Sequence, residues 1–360
     1  MTSTQPGAQS ATASETTFPV RLTTSDQVTL TIDVPEGTSV VDAAAAAGYV
    51  LPAQCRAGTC GSCHAVAAGE YRLGPHSPAA LPDDAVAAGQ VLLCSTYPTG
   101  PLEVTTPYAR SRILDGGPGR REGVVTDVVK VAAQMVWVRI ALESDDEAGA
   151  GYQFDPGQFV EVQVPGDDRR RAYSLVNTGN WDGTAELLVK LHPGGYFSGY
   201  LTDLLRRWPV EQARLVLHGP TGAFGLRESG LRPRWFVAGG TGLAPVLSLL
   251  RRMAEWGEPH PARLFLGVPT PGDVPSLPPL DELAATLPKL QVTVCVEHPD
   301  DRWTGTVGNP LAALRAAVAE HTGTAPDLYV CGPPGLVNAV GTVASDAGLP
   351  PVVAERVLPT

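Results

Sequence analysis

The sequence predicts a multi-domain α+β protein: a small cysteine-bearing β domain, then an antiparallel β-barrel, then an α/β domain on a parallel sheet. Three observations carry this expectation. Four of the six cysteines crowd into one 40-residue stretch, at positions 55 to 94. Short β-like runs broken by Gly, Pro and Asp fill residues 122 to 225. Beyond Arg234 the rhythm changes to apolar strand, Gly-rich turn and helix, the alternation of a parallel α/β sheet. Length agrees, because 360 residues exceed the roughly 100–200 of one ordinary domain.

Taken in order, residues 1–17 form a Ser/Thr/Ala/Gln-rich tail expected to be disordered. Phe18 to Val34 alternates apolar and polar residues, the period of a strand pair with a turn near Asp26. Val40 to Ala47 reads as a short Ala-rich helix ended by Gly48. Val91–Leu93 and Leu102–Thr105 read as further strands, so the first domain spans 18–108. The Gly-Gly-Pro break within 109–118 suits a linker. A barrel over 119–228 would use VVTDVVKV, MVWVRIAL, QFVEVQV, AELLVKL and RLVLHGP. An α/β domain over 229–360 would use RWFVA, ARLFLGV, LQVTVCV and DLYVC, with helices near 243–255, 309–320 and 335–347.

Composition excludes several classes. A hydrophobic fraction of 43% and a charged fraction of 18% are globular values. Net charge is −11, from 26 basic against 37 acidic side chains, which argues against a nucleic-acid or anionic-membrane partner. No apolar run approaches the roughly 18 residues of a membrane span. The N-terminus has neither a basic region nor an apolar core, so no signal peptide is expected. The expectation is a soluble cytoplasmic protein, whose reducing surroundings turn clustered cysteines toward metal or redox roles.

Cys55, Cys60, Cys63 and Cys94 stand as C-x4-C-x2-C with a fourth cysteine after thirty residues. That is the plant-type [2Fe–2S] ligand spacing. The small residues between them would let backbone N–H groups reach the cluster sulfides. A structural zinc site prefers two paired knuckles, whereas here one ligand stands alone. CRAGTCGSC and the later LLCSTYP resemble the plant-type ferredoxin domain that opens many oxygenase reductases, a β-grasp fold.

Arg171-Ala-Tyr173-Ser174 supplies a cation, an aromatic face and a small hydroxyl, the three groups a flavin site needs. With Lys190–Ser198 (KLHPGGYFS) and Gly219–Phe224 (GPTGAF), it resembles the FAD domain of the ferredoxin–NADP reductase superfamily. By that resemblance Arg171, Tyr173 and Ser174 contact FAD, Gly195 and Ser198 lie against its pyrophosphate, and Lys190 and Gly222 belong to the same site. Gly239-Gly240-Thr241-Gly242, followed by Pro245, runs from a strand through a turn into a helix, which suits a pyrophosphate. In the superfamily that this resembles, the segment Cys331-Gly332-Pro333 lines the nicotinamide site, with Cys331 near the hydride. Cys331 and Ser174 are thereby the candidate catalytic residues. Cys295 reads as core, and His64 and His218 as histidines without a metal role.

A ribose 2′-phosphate calls for a nearby Arg or Lys. Gly267 to Ser276 contains neither, and Pro269 stands where NADPH-selective relatives often carry Arg, so NADH is the expected donor. The resemblance implies an electron path from NADH to FAD to [2Fe–2S] to an external oxygenase. Val91–Ile113 looks most like reductases of soluble diiron monooxygenases acting on methane, alkenes, propane or phenol; the alternative acceptor is a Rieske-type aromatic-ring dioxygenase. Phe18–Tyr108 carries eight acidic residues against three basic ones, a charge balance suited to docking on a basic patch. One departure stands out. Related reductases often end with an aromatic residue over the flavin, and Val357 occupies that place here.

Overall fold

The computed structural model describes residues 16–145, 149–207, 213–227 and 230–357. The tail expected over 1–17 falls largely outside these residues, and the first strand begins at Thr17.

The first domain is a five-stranded sheet. Strands β1 (Thr17–Thr23) and β2 (Thr29–Pro35) pair antiparallel, joined by a turn in which Gln27 adopts φ 62°. In both, every second residue is buried, so Val20, Leu22, Ile32 and Val34 face helix α1 (Val40–Ala46). Ser39 caps α1 through the Asp42 N–H, and Gly48 follows at φ +87°. A two-residue strand β3 (Tyr49–Val50) leads into the cysteine loop. Strand β4 (His64–Leu73), helix α2 (Asp83–Ala87), β5 (Gln90–Leu92) and β6 (Thr96–Thr105) follow. The order β2-β1-β6-β4-β5 has β1 and β6 parallel at its centre. β4 was missed in the sequence because AVAAGE is short of β-branched residues; its pairing with β6 overrides that weak propensity.

Residues 109–118 are not a bare tether. They include a turn over Arg110–Arg112 and strand β7 (Leu114–Asp115), which pairs with β3. Arg112 reaches forward to Asp155 of the barrel at 3.5 Å.

The barrel comprises β8 (Arg120–Ala132), β9 (Met135–Leu142), β10 (Phe159–Gln163), β11 (Arg170–Ser174), β12 (Thr184–Lys190) and β13 (Arg214–Thr221). Its antiparallel order is β11-β10-β13-β8-β9-β12. A bridge from Leu175 to Leu187 brings the two edge strands together. Alternating Val136, Val138, Ile140 and Leu142 point inward. Helix α3 (Tyr196–Arg207) closes one end. The sequence reading missed it because Gly194 and Gly195 obscure the start of its apolar stripe.

The last domain is a six-stranded parallel sheet, ordered β17-β16-β15-β14-β18-β19. Its strands are β14 (Arg234–Gly239), β15 (Ala262–Val268), β16 (Leu290–Val296), β17 (Thr306–Val307), β18 (Asp327–Gly332) and β19 (Val353–Arg356). Helices α4 (Leu243–Glu255) and α5 (Pro278–Thr286) cover one face; α6 (Pro310–Glu320) and α7 (Pro334–Asp346) cover the other. β14 and β18 are buried on both faces, which explains their unbroken apolar text. Cys295 is fully buried in β16. Among the described residues no helix is long and apolar enough to cross a membrane.

The domains share surfaces. Barrel residues Val131, Met135, Val176, Leu188 and Phe224 join the α/β core, and Ser248 of α4 donates to the Asn177 carbonyl at 2.6 Å. Ala223 packs instead on the first domain's core.

Candidate functional site

The cysteine loop is tightly wound. Arg56, Gly58 and Gly61 all take positive φ, at 48°, 70° and 78°. A Cβ on Gly58 would stand 2.6 Å from the Pro75 carbonyl oxygen, so only glycine fits there. This winding turns the N–H groups of Ala57, Thr59 and Cys60 onto Cys55 Sγ, each at 3.4 Å. Ser62 adds its hydroxyl at 3.0 Å and its N–H at 3.5 Å to Cys60 Sγ. Cys60, Cys63 and Cys94 are buried.

The thiols fall into two pairs, Cys55 with Cys60 and Cys63 with Cys94. The Cys60 thiol pulls Cys55 down to about 4 and is itself raised, and the Cys63 thiol pulls Cys94 down to about 7. No three of the chain's described His, Cys, Asp or Glu side chains converge closely enough to share one metal ion. Four cysteines gathered in one loop and its neighbour without converging on a point fit a two-iron cluster better than one tetrahedral zinc, which needs all four around it. His64 Nε2 donates to Gln90 Oε1 at 2.9 Å, and His218 Nε2 donates to Gln163 Oε1 at 2.7 Å; both have ordinary partners.

On the barrel, Arg171, Tyr173 and Ser174 line β11, each half-buried. The Tyr173 ring lies 5.2 Å from that of Phe197 at the start of α3. Arg171 makes no salt bridge among the described residues, and its guanidinium donates to the Arg170 carbonyl. Gly195 and Ser198 open α3, where unpaired N–H groups and the helix dipole favour an anion. Ser198 Oγ accepts from the His192 N–H at 2.9 Å and holds the turn in place. Lys190 is exposed at the end of β12. Gly222, at φ +123°, leaves room for Phe159, whose ring would lie 3.1 Å from a Cβ there.

On the α/β domain, the loops after β14 and β18 lie side by side at the point where strand order reverses, the usual crevice of such sheets. Gly240 and Thr241 sit in a short turn before α4, and Pro245 is buried within its first turn. Gly242 has a different reason for being glycine than approach to a phosphate. A Cβ there would lie 2.1 Å from the Cys331 carbonyl oxygen. Gly239 packs similarly against Pro333, and Gly332 against Gly239, so these glycines interlock the two loops.

The sequence reading missed one residue. Glu355 stands opposite Cys331 in the parallel register of β18 and β19, and the Cys331 thiol donates to its Oε2 at 3.8 Å. The Ser174 hydroxyl lies near the same carboxylate and favours its ionised form. Glu355 therefore joins the two candidate catalytic residues, which lie in different domains. Burial pushes its carboxyl up to about 7, against the pull of those two neighbours. Burial, with Glu355 beside it, also raises the Cys331 thiol, which stays neutral. The only sequence signal was a lone acid in an apolar C-terminal run, which has no local periodicity to mark it as buried.

Three domain families match in this order: a 2Fe-2S iron-sulfur cluster binding domain over 23–99, an oxidoreductase FAD-binding domain over 122–225, and an oxidoreductase NAD-binding domain over 236–342. The toluate 1,2-dioxygenase electron transfer component of Pseudomonas putida is 34% identical, covering 91% of this chain and 94% of its own length. The propane 2-monooxygenase reductase component of Rhodococcus jostii strain RHA1 is 31% identical, covering 90% and 87%. Among solved structures, the Amycolatopsis cytochrome P450 reductase GcoB superposes with a TM-score of 0.70 at 26% identity, covering 95% of this chain and 99% of its own. The chain is thus an oxidoreductase with FAD, NADH and a [2Fe–2S] cluster as its cofactors.

Proposed function

The chain belongs to the electron-transfer reductase components of multicomponent oxygenases, and from that premise we propose that it serves the hydroxylase of a soluble diiron monooxygenase. The meeting of Ser174 and Cys331 at Glu355 carries the NADH-to-flavin part of this reading. Similarity to the propane 2-monooxygenase reductase component and to methane monooxygenase component C of Methylosinus trichosporium, 34% identical over 74% of this chain, supports the acceptor. The toluate 1,2-dioxygenase relative favours a second reading, in which a Rieske-type dioxygenase takes the electrons.

When bound, FAD would supply the conversion between a two-electron hydride donor and a one-electron cluster. The protein's residues arrange that exchange. Arg171 and the N-terminus of α3, with Gly195 and Ser198, would hold the FAD pyrophosphate, and Tyr173 would lie against its ring. Lys190 and Gly222 would border the same site. The interlocked loops at Gly239–Gly242 and Gly332–Pro333 would hold the dinucleotide, with Cys331 filling the space beside the nicotinamide. Ser174 and Glu355 can hold a proton at the carboxyl near neutral pH. Cys55, Cys60, Cys63 and Cys94 would hold the cluster. NADH is favoured over NADPH because Gly267–Ser276 offers Asp273 and no cation to a 2′-phosphate. Cysteines that would hold a cluster rather than pair in disulfides fit a reducing compartment, which supports the cytoplasm.

An anaerobic titration tests the donor: visible flavin and iron–sulfur absorption should bleach rapidly with NADH and slowly with NADPH. Equal bleaching by both would end the NADH assignment. Reconstitution with purified diiron hydroxylase, Rieske oxygenase or P450 then tests the acceptor, and product formation only with the second or third would replace the diiron reading.

A further inference from the structure

Adjacent residues of a strand face opposite sides. On β19, Glu355 turns into the junction of Ser174 and Cys331, so Arg356 turns the other way. It reaches the cysteine loop. Its Nη1 lies 2.7 Å from where a Cβ on Gly61 would stand, between Cys60 and Cys63. Nη2 donates to Asn338 Oδ1 at 3.1 Å, and Asn338 Nδ2 donates to the Ala79 carbonyl across the domain boundary at 3.2 Å. The side chain is half-buried. Its Nε is buried without a hydrogen-bond partner, and it makes no salt bridge among the described residues. Burial opposes its charge, and the neighbouring Cys60 sulfur favours it.

A half-buried cation with its Nε shut off from water and no carboxylate beside it points to another source of negative charge. We infer that Arg356 is a positioning residue that docks the cluster loop onto the flavin–nicotinamide half and holds the cluster's reduction potential up. This rests on reading Cys55, Cys60, Cys63 and Cys94 as the cluster's ligands. The transfer it supports moves one electron from reduced flavin to oxidised cluster, and no bond to Arg356 forms or breaks. A cluster that gains an electron gains negative charge. A nearby cation stabilises the reduced form, so its removal shifts the equilibrium toward the oxidised one. Gly61 leaves the space the guanidinium occupies, and Asn338 ties the same contact to the loop before α2.

The test is a potentiometric titration of the holoenzyme followed by electron paramagnetic resonance, with limited proteolysis of residues 75–82 alongside. Arg356→Gln and Arg356→Met should each shift the cluster's one-electron equilibrium about tenfold toward the oxidised form, a midpoint lower by ~59 mV. Arg356→Lys should keep the midpoint near that of the parent while exposing 75–82 to protease. Asn338→Ala should do the same. Neutral variants with the parent's midpoint, or no change in cleavage in any variant, overturn the inference. If one neutral variant fails to fold, the other still decides. A parent enzyme with no NADH-reducible iron–sulfur signal would overturn the cluster reading itself, and this inference with it.

Discussion

The cysteine loop and the Ser174–Glu355–Cys331 junction solve similar problems by opposite means. The loop is local. Within residues 55–63, positive φ at Arg56, Gly58 and Gly61 aims successive N–H groups at sulfur, and one distant cysteine, Cys94, completes the set. The junction is assembled from three separate segments, one at the end of β11 and two in neighbouring strands of the parallel sheet. Its polar groups come together only because the register of β18 and β19 sets Glu355 beside Cys331. Local winding makes a site robust to changes elsewhere, whereas a junction between domains depends on the whole stack. The two should therefore respond differently to substitution.

The sharpest contrast comes from Cys60→Ser. Electron flow to a protein acceptor should fall by about a hundredfold or more, since a lost ligand removes the metal site. NADH-driven ferricyanide reduction through the flavin should persist. Loss of both would mean that the two regions are not separable.

Next in size is Gly242→Ala, which places a Cβ against the Cys331 carbonyl. Overpacking of this kind costs about 1–3 kcal/mol. Calorimetry should show a lower unfolding temperature, and the KM for NADH should rise while the iron–sulfur spectrum is unchanged. An unaltered melting curve would remove the interlocking role given to this glycine.

Glu355→Gln should slow NADH oxidation by about tenfold, within the range of a single electrostatic contact. Its pH profile is more diagnostic. Glu355 titrates near 7 in the folded protein, so the carboxyl is neutral below that and an anion above. An anion there stabilises the positive charge that the nicotinamide develops as hydride leaves, so the rate should rise as pH passes through about 7. A Gln variant should lack that inflection. A parent profile flat between pH 6 and 8 would show that the carboxyl does not act on the reaction.

The smallest effect is expected from Val357→Phe. Val357 packs against the α/β core, its N–H on the Gly332 carbonyl. An aromatic ring there would compete with nicotinamide, raising the KM for NADH by about two- to fourfold. A fall in KM would show instead that the ring stabilises the bound nicotinamide.

What is local or periodic was legible in the chain alone. The C-x4-C-x2-C spacing marked the cysteine loop, period-two text marked β1, β2 and β9, and the unbroken apolar runs marked β14 and β18, since each pattern is written in adjacent residues. The sequence also proposed Ser174 and Cys331 as catalytic candidates, through motifs that lie close to strand ends. It missed β4, β19 and α3, whose propensities are weak or interrupted, because their stability comes from partners distant in the chain. The packing of distant segments explains why Gly242 is glycine for the sake of Cys331, why Glu355 joins Ser174 to Cys331, and why Arg356 faces the cysteine loop. A parallel register pairs residues with no fixed separation in sequence, and a strand's alternation assigns faces only once its neighbours are in place.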